Sequence, residues 1–439
     1  MPATGVGVAD DRVRQGRRIV LAAAIVVCVG KLVLAATTFG TNDVGHWLDF
    51  LSGVRRAGPV GIYGIHFQHS FYNHPPLMGY YLDLVGAFTH LGLSAQFTIR
   101  AVSSVADVAS AIIVFEMVRR RRGIAEAVFA GVVVGASPVL IVISGFHGNT
   151  DPVFVMLTLL SVYLLADRAS PAAAGTAMAL AVGIKVVPVV AVPSLLVFAA
   201  LSDRRTFVRY LGAMAGVSAV FWLPALSTHG SAVIHDVLGY AGVNHHNWGL
   251  PRLMRSAGLS TGWIDGPGRF LVVAVCAVLP AVLVARCRGA VPQAVSLALA
   301  GFLALTPTYG NQYLVWGAAT TVLLTTFGGT LYNILAGLLL LEVYNRWNGG
   351  LPWYRASASE FTSSESLFAI LVWASLCCAV AYGAWRALRD GSRTWTGSVP
   401  AESTAASQGR PAPAAEPRGS DHSQPSHVPG LQAKRKEFM

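Results

Sequence analysis

Long apolar runs parted by short arginine clusters limit what this chain can fold into. The runs recur from residue 19 to residue 385. An uncharged stretch of about twenty residues reads as a membrane helix. The chain is 54% hydrophobic and 12% charged, with a mean hydropathy of +0.55, whereas a soluble domain carries about 25% charged residues. The expected fold is all-α: a polytopic transmembrane protein with about twelve spans. These are placed at 19–38, 97–118, 124–144, 151–166, 172–184, 187–201, 207–226, 270–285, 291–306, 313–326, 330–344 and 367–385. The two runs beside Lys185 are short for spans and are read as partly re-entrant.

If every run crosses, the basic clusters sort to one face. They comprise the arginines before residue 19, the run 119–122, Arg168, Arg204, Arg205, Arg286, Arg288, Arg386 and Arg389. Arg55, Arg56, Arg252 and Arg255 scatter over the other face. The positive-inside rule then puts both termini in the cytoplasm. Residues 1–18 read as a cytoplasmic leader, 19–388 as the transmembrane domain and 389–439 as a cytoplasmic tail. The tail is rich in Ser, Ala, Pro and Gly and is expected to be disordered. No cleavable signal peptide is expected, because the first run is long enough to span and lacks a small-residue cleavage site. The net charge of +11 is spent on topology and does not imply nucleic acid. The five cysteines lie in or beside apolar runs without metal-ligand spacing.

The external segments 39–96, 227–269 and 345–366 are long. Ten of the twelve histidines fall on that side: His46, His66, His69, His74, His90, His147, His229, His235, His245 and His246. Longer loops alone would collect some of them; a site rich in hydrogen-bonding groups is the sharper reading. In 39–96, Trp47, Leu48, Phe50, Leu51 and Val54 follow helical spacing, which suggests an amphipathic helix on the bilayer surface. Pro75 and Pro76 suit the first turn of a second apolar helix.

Several polar motifs interrupt the apolar pattern. They are Asn42-Asp43 just after the first span, Tyr72 with Pro75-Pro76-Leu77, Gly145-Phe146-His147-Gly148-Asn149-Thr150-Asp151, and Gly183-Ile184-Lys185-Val186-Val187-Pro188. Further on come Asn244-His245-His246-Asn247-Trp248-Gly249-Leu250 and Pro307-Thr308-Tyr309-Gly310-Asn311-Gln312-Tyr313. In their order and external placement across residues 19–320 they resemble the GT-C superfamily of integral-membrane glycosyltransferases. The likeness is strongest to actinobacterial mannosyltransferases that use polyprenyl-phosphate sugars. Many members carry an acidic pair, whereas here Thr41 precedes Asn42-Asp43. A two-carboxylate metal site is therefore not expected, and neither is any cofactor.

An acid at the membrane edge is costly to keep dry and faces water, a partner or a substrate. The resemblance places the family's catalytic aspartate at Asp43, as general base; the alternative from the residues themselves is a helix cap. Asp49, six residues on, is the rival base. For the donor phosphate the candidates are Lys185, Arg252, His245 and His246. Lys185 is the only lysine between Lys31 and Lys434, although a lysine there also suits snorkelling. His74, Tyr72, His147, Asp151, Trp248, Tyr309 and Gln312 are candidate substrate contacts. Asp151 also suits a helix start, Trp248 an aromatic belt, and Tyr309 and Gln312 a helix turn. The histidines show no His-x-x-x-His or carboxylate-linked pair that would hold a metal.

The expected activity is inverting transfer of a sugar, mannose by resemblance, from polyprenyl phosphate to a cell-envelope glycolipid or glycan. It would occur outside the cytoplasmic membrane, with the bilayer, the lipid-linked donor and the acceptor as partners and no nucleic acid. The absence of a Gly-rich nucleotide-phosphate motif agrees. A transporter or flippase of lipid-linked sugars is the alternative; it would carry its chemistry at the membrane midplane rather than in external loops.

Overall fold

The computed structural model describes residues 4–240, 242 and 247–394. The chain there is helical, and among the described residues the only extended pairing is one isolated bridge between Gly40 and Arg355. The helices are α1 (Thr4–Thr37), α2 (Asn42–Gly61), α3 (Leu77–His90), α4 (Ala95–Arg119), α5 (Ile124–Gly135), α6 (Pro138–Val142), α7 (Asp151–Val162) and α8 (Pro171–Ile184). They continue as α9 (Val192–Ser202), α10 (Arg204–Ala232), α11 (Gly249–Ser256), α12 (Gly262–Asp265), α13 (Gly268–Arg286), α14 (Val291–Leu305), α15 (Leu314–Leu324), α16 (Thr326–Trp347) and α17 (Ser363–Thr394).

All twelve expected runs are helical. Among the described residues, eight helices are long and apolar enough to cross a membrane: Asp10–Thr37, Ala95–Arg119, Ile124–His147, Arg204–Leu238, Gly268–Arg286, Arg288–Leu305, Thr326–Trp347 and Ser363–Arg389. The other four, α7, α8, α9 and α15, are shorter. Around Lys185 the helix stops at Ile184. Lys185 itself is extended, with φ −151° and ψ 144°, and a 3-10 turn over Val187–Ala191 leads into α9.

Successive helices run between two ends. At one end Arg17 and Arg119 pair with Glu116 at 2.6 Å, and Arg121 pairs with Asp167 at 2.9 Å. There Arg122 also donates to the last carbonyls of α15, and Arg288 to Ser202 at 2.9 Å. The arginine clusters read from the sequence thus tie helix ends together, where cations favour exposed carbonyls. The motif residues gather at the opposite end. Small residues allow close helix pairing: a side chain on Gly175 of α8 would meet the Tyr210 carbonyl of α10 at 2.2 Å, the kind of approach that small residues permit in membranes.

The described part of the basic leader is helical and continuous with the first span, since α1 begins at Thr4 and carries Arg17. One expectation is corrected. The apolar stripe of α2 does not face a bilayer. Trp47, Phe50, Leu51 and Val54 are at most 4% exposed, because α3 and the loop between the two helices cover that face. The stripe was real, but its partner was protein. Most of the tail 389–439 lies outside the described residues.

Candidate functional site

The site starts where α1 ends. Thr41, extended, caps α2 by accepting from the Asp43 N–H at 3.3 Å. Its hydroxyl also donates to the His147 carbonyl at 2.9 Å. Capping therefore belongs to Thr41, and the Asp43 carboxylate is free for other contacts. His147 closes a π-helical turn, Ile143–His147, and the chain then reverses through Gly148 at φ +83°. A Cβ on Gly148 would lie 2.5 Å from Val44, so this position needs glycine for its conformation and for its space. Trp47 Nε1 donates to the Gly148 carbonyl at 2.9 Å, and α2 and the π-turn are locked together.

The lock brings two polar groups onto one carboxylate. Asp43 Oδ2 lies 3.0 Å from His147 Nε2 and accepts from Asn149 Nδ2 at 2.9 Å. The other ring nitrogen of His147 meets the Tyr344 hydroxyl. Oδ1 has no hydrogen bond among the described residues, and the side chain is 30% exposed. Burial by itself would raise the Asp43 carboxyl. The His147 ring and the hydrogen bonds from His147 and Asn149 outweigh burial and hold it well below the usual carboxylate range, with a further pull from His46.

A second arm leaves through Asn149, whose Oδ1 accepts from the Asp151 N–H at 3.0 Å. Asp151 is fully buried. Its two oxygens take Lys185 Nζ and Trp316 Nε1, each at 2.6 Å. Lys185 sits 4.7 Å from the Tyr313 ring centre and is 21% exposed. The sequence alternatives for Asp151, a helix cap or a substrate contact, give way to an anchor for Lys185.

These groups face a cavity of about 970 Å³, lined among others by Asn42, Asp43, His46, His74, His147, Asn149, Lys185, Tyr309, Asn311, Gln312 and Tyr313. His74 rests among Trp47, Phe50 and Tyr72, with ring centres 4.6, 5.8 and 5.7 Å away. Burial, aided by the Lys185 cation, pulls its imidazole down to about 3, so it is neutral at physiological pH.

Of the residues named from the sequence, Asp43, Lys185, His74, His147, Tyr309 and Gln312 meet at the cavity. Tyr72 is buried behind His74, and Trp248, 1% exposed, stacks behind Tyr309 with its Nε1 on the Leu303 carbonyl. Arg252 on α11 is not among the lining residues; Arg269, at the start of α13, is. Asp49 is exposed and accepts from Ser70 at 2.6 Å. His245 and His246 lie outside the described residues. Sequence reasoning missed Asn149, Trp347 and Arg269 as cavity groups, although Asn149 stood inside a quoted motif, and it missed the buried Tyr344 behind His147. It also missed Arg100, 1% exposed, which donates to the Ala35 and Thr38 carbonyls at 2.8 and 2.7 Å and so fixes the end of α1 from which the site begins.

Among curated proteins, none matches the chain. Residues 73–229 match the family described as dolichyl-phosphate-mannose-protein mannosyltransferase. The matched stretch holds His74, His147, Asn149, Asp151 and Lys185 and stops short of Asp43 on its N-terminal side, and it supports a membrane glycosyltransferase.

Proposed function

We propose that this chain is an inverting glycosyltransferase of the inner (plasma) membrane. It moves a sugar, mannose, from a polyprenyl-phosphate donor to a glycolipid or glycan acceptor of the cell envelope. The site faces the extracytoplasmic side and both termini the cytoplasm, which is the orientation the arginine-tied end favours.

The observation that carries this reading is Asp43: a carboxylate held ionised on one oxygen, with the other open to a cavity that also holds Lys185. In a single displacement the acceptor hydroxyl attacks the anomeric carbon, the bond from that carbon to the phosphate oxygen breaks, and the hydroxyl proton passes to Asp43 Oδ1. The only other carboxylate among the lining residues is Glu360, which is exposed. One base at depth suits inversion; retention by double displacement asks for a carboxylate nucleophile as well.

The leaving group is a lipid phosphate and needs cations or donors rather than an acid. Lys185 uses one of its three donors on Asp151 and presents the rest. Arg269 supplies a second charge, and neutral His74 a hydrogen-bonding ring. Beside these cations the cavity wall turns apolar, with Val189, Leu238 and Phe270 at 42%, 52% and 63% exposure. A polyprenyl chain would leave sideways there into the bilayer.

The test is transfer by the purified full chain in lipid nanodiscs, with labelled polyprenyl-phosphate mannose and a membrane-lipid extract as acceptor. Asp43→Asn is expected to lower the rate by about 10²–10⁴ with donor binding intact. Equal rates would move the base elsewhere. Movement of the lipid across the bilayer without transfer would favour the flippase.

A further inference from the structure

Along α2 a row of polar groups runs from the cavity to the surface. Asp43, His46 and Asp49 follow one another at a spacing that makes each the neighbour of the last on the helix surface. Asp43 and His46 are half-buried and line the cavity, and Asp49 is exposed.

Ser70, from the loop between α2 and α3, joins the outer two. Its hydroxyl donates to Asp49 Oδ2 at 2.6 Å and lies 2.8 Å from His46 Nδ1. A serine has one proton to give, and an ionised carboxylate can only accept. That proton therefore goes to Asp49, and the Ser70 oxygen accepts from His46 Nδ1–H. The Asp49–Ser70 pair thus fixes the tautomer of His46 and leaves Nε2 as a bare base. The loop is seated firmly on α2: the Phe67 ring meets Phe50 edge-on at 5.3 Å, and a Cβ on Gly53 would lie 2.7 Å from the Phe67 ring.

The other imidazoles at the cavity differ. His147 Nε2 donates to the ionised Asp43, so that nitrogen already holds its proton, and Nδ1 is taken by Tyr344. His74 is buried, and burial aided by the Lys185 cation pulls it down to about 3, which makes it a poor proton acceptor. His69 is exposed, with no bond orienting its ring.

Asp43 has a matching weakness. A carboxylate held so far below its usual range takes a proton from a hydroxyl that is already bonding to the anomeric carbon, but does not keep it. Substrates that fill the cavity exclude the water that would otherwise carry the proton off.

We propose that His46 is the proton carrier of the transfer: Asp43 takes the proton of the acceptor hydroxyl and hands it to His46 Nε2. The acceptor O–H bond breaks, an N–H bond forms on His46, and Asp43 is ionised again. Asp49, through Ser70, meets the charge of the imidazolium, which gives the Nε2 proton to external water once product has left. Ser70 and Asp49 are positioning residues. The proposal rests on the transferase reading with Asp43 as base.

The experiment is transfer by the full chain in nanodiscs, with labelled polyprenyl-phosphate mannose at saturation and a membrane-lipid extract as acceptor. His46→Asn keeps a donor for Ser70 and loses the base. It is expected to lower kcat by about 10² at an unchanged unfolding midpoint and an unchanged donor KM. His46→Ala should fall as far and be rescued in part by added imidazole, but not by pyrazole, which has the same shape and little basicity. Ser70→Ala and Asp49→Asn should each lower kcat by about three- to tenfold. A His46→Asn kcat equal to wild type, or rescue of His46→Ala by both azoles or by neither, would overturn the carrier. Transfer that needs Asp43 but not His46 would leave the transferase reading standing and remove the carrier. No transfer by wild type would remove the reading, and the carrier with it.

Discussion

Asn149 donates from Nδ2 to Asp43 Oδ2 at 2.9 Å, and the oxygen of the same amide accepts from the first N–H of α7 at 3.0 Å. One side chain therefore adds to the hold on the ionised carboxylate and fixes its register against the helix that anchors Lys185.

Loss of that donor has a defined consequence for pH dependence. The Asp43 carboxyl lies below its ordinary value because the His147 ring and the two hydrogen bonds to its ionised form outweigh burial. Asn149→Ala removes one of the bonds and leaves burial acting, so the pKa rises. The acid limb of kcat/KM is expected to move up by about one pH unit. A profile carried well below a pH of about 3 reads it; an unmoved limb would mean that Asp43 is not the group that titrates.

The helical runs, the arginine-tied end and half of the named site residues were legible because each rests on a local pattern: run length, charge clusters and polar breaks in apolar sequence. What stayed hidden depended on tertiary partners. The stripe Trp47–Phe50–Leu51–Val54 has the same periodicity whether it meets lipid or α3, and only the packing decides. Asp151 and Asp43 each stand at the start of a helix, yet one anchors Lys185 and the other faces the cavity. Tyr344 and Trp347 lie on an apolar helix, where nothing in the local sequence separates a core aromatic from a cavity wall. Arg269 was passed over because a cation at the mouth of a span is read first as topology.

His74 gives the protein an acid-sensitive fold. Its imidazole titrates at about 3 in the folded chain and at about 6.5 when unfolded. Between those values the unfolded chain binds more protons, so stability falls as pH drops from about 6.5 toward 3. Asp43, whose carboxyl is lowered on folding, adds loss only below about 3.9. His74→Gln is therefore expected to flatten the decline between about pH 6.5 and 4. Unfolding midpoints across that range, in one detergent, check it. Parallel curves for wild type and variant would sink the assignment.

Lys31 and Asp107 form an ion pair at 2.7 Å in the helical core, 1% and 2% exposed, and Ser144 of the π-turn donates to the same carboxylate oxygen at 2.6 Å. Lys31→Met strands a buried charge, at a cost of about 3–5 kcal/mol. The double variant Lys31→Met/Asp107→Leu removes both charges and is expected to recover most of that loss. Transfer should recover less than stability, because Ser144 loses the partner that steadies the turn carrying His147. Equal recovery of both would show that the pair serves folding alone.

The donor side makes the last prediction. A lipid phosphate leaving an anomeric carbon needs its charge met, and Lys185 and Arg269 supply two cations at the cavity. Transfer is therefore expected to be unchanged in excess EDTA. Lys185→Ala removes the cation anchored by Asp151 and leaves that carboxylate buried with only Trp316 as a donor, so both donor affinity and folding should suffer. Lys185→Met with Asp151→Asn removes the stranded charge and isolates the effect on the donor. That pair is expected to fold near wild type while donor KM rises about tenfold or more, the size of a lost charge-assisted contact. Arg269→Ala should weaken donor binding by a smaller factor, since its side chain is half-buried and rests on Phe270 at 4.8 Å. A rate abolished by EDTA and restored by added divalent cation would transfer the phosphate to a metal and leave Lys185 with a structural role.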